Sequence, residues 1–443
     1  MNLVELVKEA GVIGAGGAGF PTHVKLQGKA DYVLLNGAEC EPLLRVDQQL
    51  MEFHAEEVIA GLYLAAKQVE AEKAIIGIKV KHTKVIEILR EKIVDLGFQD
   101  KVEVKELPDI YPAGDEQVLV YQLTGRVVPE LGIPMAVGCV VINTETALNI
   151  FNAANSKPVT MKYVTIAGAV PKPITVKVPV GTPMQDLFKM AGLESLDGLE
   201  VIDGGPMMGP LLYNKNSYVT KKTKGLVILP EDHGLIGKKN HEMRAAKTWN
   251  KSACEQCRMC TDLCPRALLG HSTVPHKMVR AMGVSDIVPL EEVTASQTCC
   301  QCNLCEYFSC PAGINPKMAN TYFMVKLRSK GIKHTPKESF KPHSMRDYRL
   351  VPSKRLMGRI DILDYDKPAP LTEEMEYMPE VVGISLGAHV GAPAEALVEV
   401  GDKVTCGQKI AQTSDDKLGA AVHASIDGVV ESVTRGAILI RRG

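Results

Sequence analysis

Along the first 110 residues, apolar positions recur with two different periods in alternation. Residues 3–10 repeat at helical spacing and stop at Gly11, which predicts a short amphipathic helix. Asp31-Tyr-Val-Leu-Leu35 is a near-continuous apolar run, expected for a buried strand entering the loop Asn36-Gly-Ala-Glu-Cys-Glu-Pro42. Helical periodicity returns over 47–71. A second apolar strand is predicted from Ala74 to Val80, a helix from His82 to Leu96 and a strand from Lys101 to Leu107. This alternation predicts an α/β domain over residues 1–155.

The pattern then changes. The run beginning at Tyr163, YVTIAGAVPKPITVKVPVGTPMQDLFKMAG, reads as strand, turn, strand and helix, a small β-rich unit within 156–235. Residues 240–345 place most of the cysteines between helical stretches. Residues 346–378 are rich in Pro, Lys and Asp with weak periodicity, and are expected to form a linker or extended strap. From 379 to 443, short strands separated by Gly turns predict a compact β-domain. The expected fold class is multidomain α/β.

Composition adds a few exclusions. The chain has 443 residues, 45% apolar and 23% charged, an ordinary soluble balance. A net charge of −1 gives no broad electrostatic case for nucleic acid or anionic lipid. The start, MNLVELVKEAG, lacks the apolar core of a secretory signal, and the longest apolar stretch, Leu131 to Ile142, is too short to span a bilayer. Twelve cysteines, mostly in two blocks, fit a reducing compartment, so a cytoplasmic location is expected.

Those blocks carry the chemistry. The first is Cys254-x-x-Cys257-x-x-Cys260-x-x-x-Cys264-Pro265, which matches the run of bacterial two-cluster ferredoxins. The second is Cys299-x-x-Cys302-x-x-Cys305, with Cys310-Pro311 following after four residues instead of three. In that run three thiolates hold one [4Fe–4S] cube and the fourth, before proline, reaches the other. The expected sets are Cys254, Cys257, Cys260 and Cys310 on one cube, and Cys299, Cys302, Cys305 and Cys264 on the second. Paired zinc sites are the competing reading, but zinc usually takes two CxxC pairs. Cys300, beside Cys299, could replace it as a ligand. Cys40, Cys139 and Cys406 are expected to be small buried hydrophobes. Trp249 is expected to pack on the first cluster or on a helix.

Gly14-x-Gly16-x-x-Gly19 satisfies the dinucleotide fingerprint literally, but a helix precedes it where a strand is required. It is either a tight turn or a loop whose backbone N–H groups approach a phosphate or flat ring, with Lys25 as a point charge.

GAGGAGFPT followed by NGAECEP resembles the FMN- and NADH-binding subunit of respiratory complex I, where the stretches read GRGGAGFPTG and NADESEPG. Tyr111-Pro-Ala-Gly-Asp-Glu116, Leu123-Thr-Gly-Arg126 and Val141-Ile-Asn-Thr-Glu-Thr146 extend the resemblance in the same order. Asp203-Gly-Gly-Pro-Met-Met-Gly209 resembles the Rnf C component of the Rnf electron-transfer complex. The whole chain most resembles the cobalamin reductase family of propanediol-utilisation microcompartments.

The resemblance implies an FMN site at Gly14, Gly16, Gly17, Lys25, Asn36, Glu39, Gly114, Asp115, Glu116, Asn143 and Thr146. It implies NADH stacked near Phe20 and meeting Glu41 and Glu116. Two positions depart from complex I: Ala38 stands where it has Asp, and Asp115 where it has Glu. Residues 163–230 resemble the SLBB β-grasp unit, some relatives of which bind cobalamin; a spacer role is the alternative. Residues 381–443 resemble a barrel-sandwich hybrid related to biotinyl and lipoyl domains, with Lys417 at the lipoyl-lysine spacing and His423 expected to pack in a turn.

The implied function is transfer of electrons from NADH through FMN and two [4Fe–4S] clusters to a corrinoid. The alternatives are an Rnf C-type input component feeding a membrane or soluble complex, and a non-enzymatic electron-wiring adaptor. The implied partners are a corrinoid or a redox protein, an adenosyltransferase and microcompartment components, with residence inside a microcompartment and no direct membrane span.

Overall fold

The computed structural model describes residues 2–283, 289–372 and 377–443. Strands β1 (Tyr32–Gly37), β2 (Lys73–Lys79) and β3 (Val102–Leu107) lie in one sheet with β5 (Cys139–Asn143), in the order β3-β2-β1-β5 and parallel throughout. β4 (Ile110–Tyr111) lies outside it. Both faces of a parallel sheet are covered, so alternate residues of each strand enter different cores. Val33, Leu35, Ala74 and Ile76 pack in one core with helices Ala55–Gln68 and Thr144–Ala154. Leu34, Ile75 and Val141 pack in another with helix Glu116–Thr124.

The long periodic stretch over 47–71 is two helices, Val46–Phe53 and Ala55–Gln68. The backbone leaves helical geometry at His54 (φ −124°, ψ 35°), whose ring meets Tyr163 edge-on at 6.0 Å.

The second sheet contains β6 (Met161–Gly168), β7 (Ile174–Pro179), β8 (Leu199–Asp203) and β9 (Gly225–Pro230), with helix Met184–Met190 packed over it. The cysteine region is built on helices Met243–Ala253, Pro275–Gly283 and Pro316–Ser329.

The segment expected to be a linker or strap has structure of its own. Its β10 (Val351–Pro352) pairs antiparallel with β4, its helix Ser353–Arg359 buries Leu356 fully, and its β11 (Leu371–Thr372) extends the second sheet beside β7. It therefore ties the first two domains together across the cysteine region. Strands between Val381 and Arg442 form two antiparallel sheets around one apolar core. Among the described residues no helix is long and apolar enough to cross a membrane.

Candidate functional site

β1 has β2 and β3 on one side and β5 on the other, so the order of the sheet reverses between β1 and β5. In open α/β sheets, ligands bind outside the carboxyl ends of the strands at such a point. A cleft of about 620 Å³ opens there. Gly14, Gly16, Gly17, Phe20, Lys25, Asn36, Glu39, Glu41, Gly114, Asp115, Glu116, Asn143 and Thr146 all line it.

Many of these side chains hold one another in place. Asn36 donates to the Gly114 carbonyl at 2.9 Å, and Ala15 N–H donates to the Thr146 hydroxyl at 3.0 Å. Asn143 caps helix Thr144–Ala154 and donates to Asp47 at 2.9 Å. Lys25 sits 3.2 Å from Glu116 and donates to the Val141 carbonyl at 2.9 Å.

The acidic loop is more constrained than its sequence suggests. Glu39 accepts from the N–H groups of Asp47 and Gln48, at the start of helix Val46–Phe53. Burial raises its carboxyl, with Asp47 adding to the rise and Lys224 opposing it. Lys224 bonds Asp47 directly and lies 3.9 Å from Glu39. Glu41 accepts from Met207 and Met208 N–H at 2.9 Å each, and so fastens the Asp203–Gly209 loop to the cleft. Gly205 is required there, since a Cβ would lie 2.1 Å from the Glu41 carboxylate. Ala38 is fully buried in the core under helix Glu116–Thr124 and is absent from the cleft wall.

The cleft suits a flavin phosphate and ring. A Cβ on Gly17 would meet nothing within 4 Å, so its backbone faces open space, whereas one on Gly16 would lie 2.8 Å from the Asn143 amide. Lys25 is one of the cations that line the cleft.

The two cysteine turns repeat one backbone. Gln256 and Arg258 have φ of 53° and 67°, and Gln301 and Asn303 have φ of 58° and 61°. Left-handed backbone at non-glycine residues persists only where the surroundings hold it. These residues lie two and four positions after Cys254 and two and four after Cys299, so Cys299 is the counterpart of Cys254. The extra residue before Cys310 is absorbed by a change of helix type. Met259–Asp262 is α-helical, while Leu304–Ser309 is a π-helix.

Cys254, Cys257, Cys260 and Cys310 surround a cavity of about 30 Å³. Cys264, Cys299, Cys302 and Cys305 form a second group joined by Cys300. Burial and neighbouring thiols push Cys260, Cys264 and Cys299 up to about 12. Such mutually destabilising thiols fit a metal cluster, which takes them as thiolates. Among the described residues no group of three or more His, Cys, Asp or Glu closes around a single ion.

Residues 7–152 match the Nuo51 FMN-binding domain, 163–211 the SLBB domain, 253–315 the 4Fe-4S dicluster domain and 369–441 the RnfC barrel sandwich hybrid domain. The chain is 42% identical over 441 residues to cobalamin reductase PduS of Citrobacter freundii, covering 99% of this chain and 96% of that protein. Cobalamin reductase PduS of Salmonella typhimurium matches with the same identity and coverage. The chain belongs to the PduS family. The Rnf C component of the Na(+)-translocating ferredoxin:NAD(+) oxidoreductase complex of Acetobacterium woodii is 38% identical over 59% of this chain and 57% of its own length.

Within this member of the family, the cleft has walls that sequence reasoning missed. Asp47, Lys222, Thr223 and Lys224 line it, as do Cys300 and Cys302 of the second cysteine turn. The run Thr220-Lys-Lys-Thr-Lys224 was a visible signal, being a dense cationic stretch beside Asp203–Gly209. Cys300 carried no such signal. Trp249 is half-exposed against His241 at 5.0 Å, and so packs less than expected. Cys139 is buried as expected, Cys40 is half-buried and lines the cleft, Cys406 is exposed, and His423 is buried in a strand.

Proposed function

We infer that this protein is an NADH-dependent cobalamin reductase. NADH is its donor, FMN lies in the β1–β5 cleft, two [4Fe–4S] cubes lie on the cysteine turns, and a corrinoid is the acceptor. The observation that carries this reading is that one cavity is lined both by the glycine-rich loop and by Cys300 and Cys302. Full-length likeness to two cobalamin reductases supports the acceptor. A flavin there would supply the exchange between two-electron hydride chemistry and the one-electron chemistry of the cubes.

The chain's own contribution is placement. Gly14, Gly16 and Gly17 bring backbone close to the ligand. Lys25 offers its charge to the phosphate, and Asn36, Asn143 and Thr146 fix the surrounding walls through the bonds described above. Phe20 offers a face for the nicotinamide. Glu116, with a side chain 48% exposed, is freer to meet a ribose hydroxyl than Glu41, which two backbone amides already occupy. The cube of Cys254, Cys257, Cys260 and Cys310 reaches solvent, since Cys257 is exposed. Cys299, with Cys302, Cys305 and Cys264, holds the cube that faces the cleft. Residence in a microcompartment, with an adenosyltransferase or shell components as partners, belongs to the same proposal.

Anaerobic stopped-flow tests it. NADH is expected to bleach flavin and then cluster absorbance, and added hydroxocobalamin to be reduced. Flavin and clusters that bleach while cobalamin stays oxidised would move the acceptor to a protein, as in the Rnf-type reading. A fully loaded protein that NADH does not bleach would leave only the wiring-adaptor reading.

A further inference from the structure

Arg266 follows the Cys264-Pro265 turn by one residue, and its guanidinium reaches Asp115, which lines the cleft. It donates to Asp115 at 2.8 Å, and both side chains are only 12% exposed. It lies close enough to Cys300 to favour that thiol's charged form, and its Nε is buried with no partner among the described residues. Asp115 caps helix Glu116–Thr124 through Gln117 and Val118 N–H and lines the cleft, as does Cys300. Asp115 is also the position where complex I carries the longer Glu. The shorter carboxylate meets a cation that the second cysteine group supplies.

We propose that Arg266 and Asp115 form a buried charge bridge that sets the reduction potential of the cube held by Cys264, Cys299, Cys302 and Cys305. Arg266 is a positioning residue in this role, acting through its charge on the cube and through Asp115 on the flavin wall. The proposal rests on the presence of the two cubes inferred above. A buried cation favours the added electron and a buried anion opposes it, and both act strongly where water is excluded. Arg266→Gln leaves the Asp115 charge uncompensated. Asp115→Asn leaves the Arg266 charge uncompensated, while asparagine still caps the helix.

The test is an EPR-monitored redox titration of anaerobically purified wild-type, R266Q and D115N proteins, with iron and flavin content measured on each. Two cube signals in the wild type establish the reading on which the bridge depends, and their absence would overturn that reading separately. In R266Q one of the two transitions should move down, so that the ratio of reduced to oxidised cube at fixed potential falls about tenfold, equivalent to about 59 mV for one electron. In D115N the same transition should move up, and the other should stay in place in both variants. No shift in either variant, or shifts of the same sign, would overturn the bridge. Should R266Q lose iron, D115N decides alone: an upward shift supports the bridge and an unmoved transition overturns it.

Discussion

Lys162 and Glu145 pair beneath the glycine-rich loop with side chains 1% and 2% exposed. Lys162 also donates to the Ala15 carbonyl at 3.4 Å. Desolvation raises the Glu145 carboxyl and lowers the Lys162 ammonium, and each partner opposes the other's shift. Lys162→Met keeps the apolar stem and removes the direct cation. Glu145 must then take up a proton to stay buried. Set against an ordinary carboxyl near about 4.3, this costs about 4 kcal/mol at pH 7. That lies within the ~3–5 kcal/mol found when one member of a buried pair is removed. For a domain the size of the one matched over residues 7–152, the expected fall in melting temperature is about 10 °C.

The sign of the pH dependence separates this cause from simple loss of packing. Folded K162M holds a proton on Glu145 that the unfolded chain releases above about pH 4.3. The folded pKa is raised, so stability falls as pH rises. The deficit relative to wild type should shrink by about 1.4 kcal/mol per unit between pH 7 and pH 5. Adding Glu145→Gln removes the orphaned charge and should recover most of the loss. Scanning calorimetry of wild type, K162M and K162M/E145Q at pH 5, 6 and 7 measures all of this. A deficit that does not change with pH, or a double variant as unstable as the single, would refute the reasoning.

Three further outcomes are expected. A Cβ on Gly61 would lie 1.9 Å from the Ala147 carbonyl oxygen, so Gly61→Ala should force helices Ala55–Gln68 and Thr144–Ala154 apart and cost about 1–3 kcal/mol in urea denaturation. Gly237→Ala, in a helix with nothing within 4 Å, should instead gain up to about 1 kcal/mol, and equal effects at the two sites would count against the packing explanation. Among the described residues Lys221 bonds the Gly11 and Ala421 carbonyls, and burial lowers its ammonium to about 7. The unfolded chain holds that proton up to about pH 10.4, so stability should rise from about pH 7 to 10 by up to about 1.4 kcal/mol per unit; the rise should be missing from K221M, and a variant that keeps it would exclude Lys221 as its source. Iodoacetamide on native protein should label Cys406, which is exposed, well before Cys139 or Cys40, whose thiol burial pushes up to about 11; mass spectrometry reads the order.

The parts of the fold that were legible in the chain are those set by local periodicity. Burial of β1 and β2 on both faces wrote near-continuous apolar runs, and helix Thr83–Asp95 wrote a clear amphipathic one. The cysteine spacing was legible because ligand geometry constrains sequence directly. The segment 346–378 was opaque for the opposite reason. Its strands are two residues long and paired to partners hundreds of positions away, so no period of its own reveals them. The helix break at His54 likewise has no glycine or proline to announce it.

At the cleft, position was legible and bonding state was not. Glu39 and Glu41 stand where a dinucleotide-binding acid would be sought, yet both are engaged by backbone amides, in one case 166 residues away. A carboxylate spent on holding two segments together shapes the wall of the cleft, whereas Glu116 keeps a side chain 48% exposed. The glycine-rich loop is likewise engaged. Gly14–Gly19 is gripped by Thr146 and Lys162 from the α/β and β-grasp units and by Val390, whose N–H donates to the Gly19 carbonyl at 2.9 Å from the C-terminal barrel. Gly19 has φ of +77°, and a Cβ there would meet Lys222 at 2.8 Å and the Ala388 carbonyl at 3.0 Å. Its glycine thus answers to the barrel and to the cationic run at 220–224 as much as to a ligand. A flexible motif in the sequence becomes a clamped one in the fold, and the clamp draws on three domains at once.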